Sequence, residues 1–432
     1  MIVAATVFAV ALLAFTSLLY IRLHVPSGGI FLTMFKALAG AFSLGIAAVG
    51  LAGTVAGDLL DAPLVQIAYG LLTLSVGYPL VRIMTTQDVL SPIFGSVWPA
   101  EEASGGKYAL RRQWGFHLGR VPAPRHQSDI PCGTPPERGR PLLCDIWQPG
   151  VGVQPSGLGF IYFHGSAWTI LDKDYMTRTL FRHLTAQGHV VMDVAYRLYP
   201  ETDIEGMVAD VRRSVAWLKA NAAAYGVNPD RIVIGGASAG AHISLLAAYT
   251  EGNPDLTPPD LCGVDTSVRG VLSWYGPVDL AACYQHYEIE KMAAQMPERP
   301  DWSAPIAPTM RRMFGKDAER LGLHKANGSG RLDWICGGSP AQVPGRYALL
   351  SPVTHIHPGC PPTLLMQGEH DLIVPAAATR EVDAKLRQAG VKAACLVLPQ
   401  TDHAFDLFAM NWSPASRVAL WHAERFLALM AQ

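Results

Sequence analysis

Charged positions are almost missing from the first fifth of the chain. Between Met1 and Thr86 the only formally charged side chains are Arg22, Lys36, Asp58, Asp61 and Arg82. They separate three uncharged runs, Ile2 to Tyr20, Ala37 to Gly57 and Ala62 to Val81. Each run has about the 20 residues that a helix rising about 1.5 Å per residue needs to cross a hydrocarbon core. The pattern predicts three transmembrane helices. A cleaved signal peptide is the alternative for the first run, but it lacks a basic leading segment, and no polar domain follows before the next apolar run. Gly40, Gly45, Gly50 and Gly53, with Ala37, suit close helix contact in lipid.

Beyond Gln87 the pattern changes. To about Pro141 the chain is rich in Pro, Gly and Arg without a sustained period, which reads as a linker and an irregular N-terminal extension. Short continuous apolar runs then follow: Leu143 to Trp147, Gly159 to Phe163, Val190 to Ala195, Arg231 to Gly235, Gly270 to Trp274, Thr363 to Met366 and Ala394 to Leu398. Runs of that kind are strands buried on both faces. Amphipathic helical stretches alternate with them, among them Val208 to Ala224, Ala239 to Tyr249, Ala376 to Ala389 and Ser416 to Met430. The alternation predicts an α/β fold with a doubly wound, mostly parallel sheet. One connection, about 281–350, is too long for a simple crossover. It carries Tyr284, Tyr287, Met292, Met296, Trp302, Met310, Met313, Phe314 and Trp334, and reads as a helical cap insertion over a site, which can double as a satellite core.

The expected organisation is therefore a three-helix transmembrane domain over 1–85, a linker and extension over 86–141, and an α/β domain over 142–432. A length of 432 residues and a 50% apolar composition agree with a membrane component. Basic residues sit at Arg22 and Lys36 around the first loop, and Arg82, Lys107, Arg111 and Arg112 follow the third helix. Only Asp58 and Asp61 mark the second loop. That bias puts the N-terminus outside and the C-terminal domain in the cytoplasm, making a multi-pass integral membrane protein. Seven cysteines, odd in number and without a CxxC pair, fit free thiols in a reducing compartment. A net charge of −1 gives no sign of a nucleic-acid partner.

The strongest chemical signal is Gly236-Ala237-Ser238-Ala239-Gly240, a G-x-S-x-G set between an apolar strand and an Ala-rich helix. A sharp strand-to-helix turn lifts a serine hydroxyl clear of the backbone, and small residues at 236 and 240 allow neighbouring chain to approach. A serine hydroxyl is a weak nucleophile and needs a base and an orienting acid. Asp371 follows a strand in Gly368-Glu369-His370-Asp371, and His403 lies in the loop after the last strand. The order Ser238, Asp371, His403 suits a proton-relay triad, with Glu369 as the rival acid. Tyr162-Phe163-His164-Gly165-Ser166-Ala167-Trp168 follows a strand where a tight turn can aim backbone NH groups. Gly165, Ser166 and Ala167, with the NH of Ala239, are the expected oxyanion donors. His242, one helical turn past Ser238, reads as a packed, hydrogen-bonded residue. Tyr196, Arg197 and Glu201 read as holding their loop by hydrogen bonds and an ion pair. His355, His357, Cys360 and His370 match no zinc spacing.

On these residues, from about Leu143 to Met430, the chain resembles the hormone-sensitive-lipase-like esterase branch of the α/β-hydrolases, including isoprenylcysteine methylesterase-like proteins. The points of match are His164 to Trp168, Tyr196-Arg197-Leu198-Tyr199-Pro200-Glu201, Gly236 to Gly240, Gly368 to Asp371 and Asp402-His403-Ala404-Phe405. The resemblance implies carboxylesterase activity with no metal and no organic cofactor. It departs where the family has His followed by two or three glycines and this chain has His164-Gly165-Ser166-Ala167, which crowds the turn. With an apolar N-terminal segment and an aromatic, Met-rich insertion, the expected substrate is a small-molecule or lipid ester taken from or near the bilayer. Acyl transfer or peptidase chemistry would use the same triad. A non-catalytic binding protein on this fold would have lost one of its members.

Overall fold

The computed structural model describes residues 2–20, 29–95, 120–135, 140–293, 329–407 and 410–432. The apolar N-terminal runs fold as helices α1 (Ile2–Ser17, extended by a 3-10 turn Leu18–Tyr20), α2 (Gly29–Ala41), α3 (Ser43–Leu59) and α4 (Pro63–Met84). Ile2–Tyr20 and Pro63–Met84 are each long and apolar enough to cross a bilayer. The second run is not one straight helix: Thr33–Ala41 and Ser43–Leu59 meet at 60°, and they count as a third span only when taken together. The break falls at Phe42, whose backbone is non-helical (φ −95°, ψ 6°). Lys36, expected beside a loop, lies inside α2 and is buried in an ion pair with Asp402 of the C-terminal domain. Arg22, Lys107, Arg111 and Arg112 lie outside the described residues.

The hairpin of α3 and α4 depends on small residues. A Cβ at Gly57 would sit 2.5 Å from the backbone N of Gln66, and one at Gly50 would sit 2.5 Å from Thr73 Oγ1. Gly45 has nothing within 4 Å and plays no such part. α1 packs on α4 from the other side, with Thr16 Oγ1 and Ser75 Oγ 2.8 Å apart. A short helix, α5 (Ser91–Phe94), follows α4.

Eight strands form one sheet: β1 (Arg125–Gly133), β2 (Leu142–Gln148), β3 (Gly159–Phe163), β4 (Val190–Ala195), β5 (Ile232–Ala237), β6 (Gly270–Trp274), β7 (Thr363–Gly368) and β8 (Ala393–Leu398). Their spatial order is β1-β2-β4-β3-β5-β6-β7-β8. β2 pairs antiparallel with β1 and β4, and all other pairs are parallel. Seven strands are those the apolar runs predict. β1 is not; it falls in the stretch read as an irregular extension, so a boundary at 142 cuts between two paired strands. Arg-His-Gln-Ser-Asp at its start is polar and mostly exposed. Pro131 cannot donate to a ladder, and the register shifts twice along it. Such a strand is tolerated only at an edge, and it leaves no alternation to read.

The alternating side chains of the inner strands fill two layers. Phe160 and Tyr162 face α6 (Arg178–Ala186) and the last helix, α14 (Pro414–Met430). Ile161 and Phe163 face α7 (Ile204–Ala220) and α9 (Ala239–Tyr249), with α13 (Ala376–Gln388) further along. A one-turn helix, α8 (Ala222–Tyr225), leads into β5. The 281–350 insertion contributes α10 (Leu280–Ala293), α11 (Ser329–Cys336) and α12 (Pro344–Leu350). Its centre, 294–328 with Met296, Trp302, Met310, Met313 and Phe314, lies outside the described residues. The carboxyl ends of β3, β5, β7 and β8 share one edge, where an open α/β sheet builds its sites.

Forcing a branched side chain between α3 and α4 tests the hairpin. Gly57→Val should cost about 1–3 kcal/mol as an overpacking change and lower the thermal midpoint in detergent. Gly45→Ala, with open space around it, should leave that midpoint at or above the wild-type value.

Candidate active site

Ser238 occupies the turn between β5 and α9 with φ 50°, a left-handed conformation uncommon for a residue with a side chain. Such backbones cost of order 1–3 kcal/mol and persist only where the surroundings over-determine them. Here the surroundings do. Ser238 N donates to Trp274 O (2.9 Å) and His242 N donates to Ser238 O (2.9 Å). A Cβ at Gly236 or at Gly240 would lie 2.0 Å from Phe163 O. Only glycine lets the end of β3 close on both sides of the turn, and that closure leaves Ser238 Oγ partly exposed at the sheet edge.

The loops after β7 and β8 meet this hydroxyl. His403 Nε2 is 3.0 Å from Ser238 Oγ, and His403 Nδ1 is 2.8 Å from Asp371 Oδ2. Asp371 is fully buried but not stranded. Its Oδ1 accepts from the backbone NH groups of Ile373 and Val374 (both 2.8 Å), and its Oδ2 also accepts from Gln367 Nε2 (2.6 Å). Thr379 in turn donates to Gln367 Oε1 (3.2 Å). The rival Glu369 turns away, toward Arg82 (3.3 Å) and the Gln400 NH (3.1 Å). Behind the imidazole lies the Tyr275 ring, 4.4 Å away, whose hydroxyl donates to Asp406. Burial raises the Asp406 carboxyl above its ordinary range.

The turn after β3 lies against Ser238. A Cβ at Gly165 would be 3.3 Å from Ala237 O and 3.6 Å from Ser238 Cβ. The crowding expected from Ser166 and Ala167 is absorbed by backbone and hydrogen bonds. Ala167 and Trp168 take φ of 44° and 62°. Ser166 Oγ accepts from Trp168 N (2.9 Å) and donates to Tyr196 OH (2.6 Å), while that phenol donates to His164 O (2.9 Å). Tyr196 thus clamps both limbs of the turn. Ala239 opens α9, where first-turn NH groups have no acceptor within the helix. The arrangement can take a proton from a hydroxyl, hold the resulting imidazolium beside a fixed carboxylate, and offer backbone donors to an oxygen developing charge between the turn and α9.

Other singled-out residues have structural partners. His242 accepts from Trp168 Nε1 at Nδ1 (3.1 Å) and donates from Nε2 to Leu350 O (2.8 Å), tying α9 to the turn and to α12. Arg197 makes a buried ion pair with Asp210 (2.8 Å), and Glu201 meets Arg140 (3.3 Å). His355 Nε2 lies against Leu349 O and His370 Nδ1 against Leu19 O. Among the described residues no group of three or more His, Cys, Asp or Glu is arranged to hold a metal ion. All seven cysteines are free thiols. Gln367, Tyr275 and Asp406 complete the site without a sequence signal of their own, and Asp402, which the sequence shows only as the residue before His403, bridges two of its loops.

Residues 144–386 match the family model described as BD-FAE. The chain is similar to esterase LipQ of Mycobacterium tuberculosis, 30% identical over 331 residues, which are 74% of this chain and 68% of LipQ. It is also 30% identical to the probable carboxylic ester hydrolase LipM of that organism, over 70% of this chain and 61% of LipM. Among solved structures, a thermophilic esterase of the planctomycete Thermogutta terrifontis superposes with TM-score 0.51 and 20% identity, covering 71% of this chain and 92% of that one. The same esterase phosphonylated by sarin gives TM-score 0.51 over 72% and 95%.

Burial makes the structure sensitive to acid. It lowers the imidazole of His242 to about 4, below its ordinary 6.5. A folded value below the unfolded one gives stability that is full above about pH 6.5 and is lost as pH falls toward 4, on the order of 3 kcal/mol for such a group. The thermal midpoint measured from pH 7 to 4 should therefore fall less steeply in His242→Gln than in wild type.

Proposed function

This chain belongs to the BD-FAE family and has the α/β-hydrolase fold, and from that premise we propose that Ser238, His403 and Asp371 carry out a serine ester hydrolysis. The protein is a carboxylesterase- or lipase-like hydrolase. The observation that carries the residue assignment is the unbroken hydrogen-bond chain from Ser238 Oγ through His403 to Asp371, at 3.0 and 2.8 Å.

In the proposed reaction His403 Nε2 accepts the Ser238 proton as Oγ attacks the ester carbonyl. Asp371, bound to Nδ1, fixes the tautomer and stabilises the imidazolium without itself taking the proton. The carbonyl oxygen becomes an oxyanion and is met by backbone NH groups of Gly165, Ser166 and Ala167 together with that of Ala239. Each such donor is typically worth about 10² to 10³ in rate. Collapse breaks the C–O bond to the alcohol, which leaves with the proton from His403. Water then attacks the acyl-serine with His403 again as base, releasing the acid and restoring Ser238. Tyr196 keeps the donor turn in place, and Gln367 with the Ile373 and Val374 NH groups keeps Asp371 oriented.

We further propose a multi-pass membrane protein organised as a helical segment over 1–85, a connecting segment, and a hydrolase domain whose sheet starts at β1, with 281–350 as its cap. Support for the arrangement comes from where the helices end. Leu19 and Arg82, at the C-terminal ends of the first and third runs, both meet the loop after β7. Three crossings would put the N-terminus and the hydrolase domain on opposite sides, with the hydrolase domain in the cytoplasm. A small or lipid ester drawn from or near the bilayer suits a site held against these helix ends.

Full-length protein in detergent, given a fluorophosphonate probe and p-nitrophenyl esters of increasing chain length, tests the assignment. Wild type should label and turn over, Ser238→Ala should do neither, and Asp371→Asn should lose about 10⁴ in kcat. Labelling of Ser238→Ala to the wild-type extent would exclude it as nucleophile. Added alcohol or amine acceptors separate hydrolysis from acyl transfer by the product formed.

A further inference from the structure

Helix α2 contributes an ammonium group to the underside of the active site. Lys36 is 1% exposed, and its Nζ lies 2.6 Å from Asp402 Oδ2 and 3.3 Å from His370 O. The other oxygen of Asp402 accepts from two backbone NH groups, His403 N (2.7 Å) and Leu372 N (3.0 Å). One carboxylate therefore joins the loop that carries His403 to the loop that carries Asp371, and Lys36 holds that carboxylate from below. His370, whose carbonyl Lys36 also meets, immediately precedes Asp371.

We propose that Lys36 is a positioning residue for the His403–Asp371 pair, acting through Asp402, so that the N-terminal helices form part of the support of the active site. The inference rests on the triad reading above. Asp402 and Asp371 are two buried carboxylates in adjoining loops. Burial pushes the Asp402 carboxyl up, the Lys36 charge pulls it down, and the charge of Asp371 pushes it up again. Remove Lys36, and Asp402 keeps its place only by taking a proton or by staying charged beside Asp371. Breaking one partner of a buried ion pair is far more damaging than never having the pair. Two further contacts from the same helices hold the same loops. Leu19 O meets His370 Nδ1 (3.2 Å), and Arg82 meets Glu369 (3.3 Å), whose Oε2 also accepts from Gln400 N (3.1 Å). A single lysine buried in an otherwise apolar stretch is costly to keep, and these loops are what it reaches.

The test uses the full chain in detergent with p-nitrophenyl acetate, a substrate small enough to make few contacts. Active-site titration with a fluorophosphonate counts competent sites. Lys36→Met should lower kcat per titrated site at least about tenfold, with KM within about twofold, because misplacing a reacting group costs up to about 10² in rate. The double variant Lys36→Met with Asp402→Asn should recover to within about threefold, because the amide oxygen still accepts from His403 and Leu372 while the stranded charge is gone. Lys36→Gln keeps a donor in place and serves where Lys36→Met yields too few competent sites. Fewer titrated sites at an unchanged kcat per site would mean that Lys36 only supports folding and would overturn the proposal, as would a double variant no better than the single one. If Ser238→Ala turns over like wild type, it is the triad reading that fails, which keeps the two ideas separable.

Discussion

The approach of the end of β3 to the turn around Ser238 is the constraint on which the site depends. Phe163 O lies so close to positions 236 and 240 that any side chain there would collide with a backbone oxygen. Because the turn cannot relax, Ser238 is held at φ 50° and its hydroxyl stands at the sheet edge. The same proximity brings Gly165 and its neighbours against α9, so the Ser238 hydroxyl and the backbone NH groups proposed as donors are fixed by one packing event. Tyr196 and His242 extend it: the phenol locks the turn, and the imidazole ties the turn to the first turns of α9. Their strength comes from low dielectric and full satisfaction of polar atoms, conditions under which a buried network rigidifies a site.

Asp371 and His403, the proposed acid and base, are held by a second network of a different kind. Asp371 is bound by two backbone NH groups, a glutamine and the imidazole, so both of its buried oxygens have partners. Asp402 links the two loops, and helices from the other end of the chain supply the charge that balances it. The proposed site thus joins a locally encoded half, the turn at Ser238, to a half that exists only once distant segments have met.

That division explains how much of the molecule can be read in its sequence. The inner strands are legible because burial on both faces leaves unbroken apolar runs, and Ser238, Asp371 and His403 stand out because their order and loop positions match one chemical demand. β1 is not legible: an edge strand that carries Pro131, Asp129 at φ 56° and exposed polar residues has neither alternation nor an apolar run. The bend at Phe42 is equally silent, since the run from Ala37 to Gly57 is uncharged throughout and carries no proline to mark a break. Gln367, Tyr275 and Asp406 look like ordinary loop or strand polar residues until their partners are in place.

The distance along the chain between the partners also sets a clock. Lys36 lies 334 residues before His370, whose carbonyl it meets, and Asp402 comes later still. A ribosome adding about 5–20 residues per second needs roughly 15 to 70 s to cover that interval. During that time the N-terminal helices have been made, but the Asp402 carboxylate that Lys36 meets in the folded chain has not. That ion pair can form only when the last strands emerge. The support that the first helices of the molecule give these loops is therefore among the last parts to finish, and a chain cut short before β8 lacks the Asp402 carboxylate that completes it.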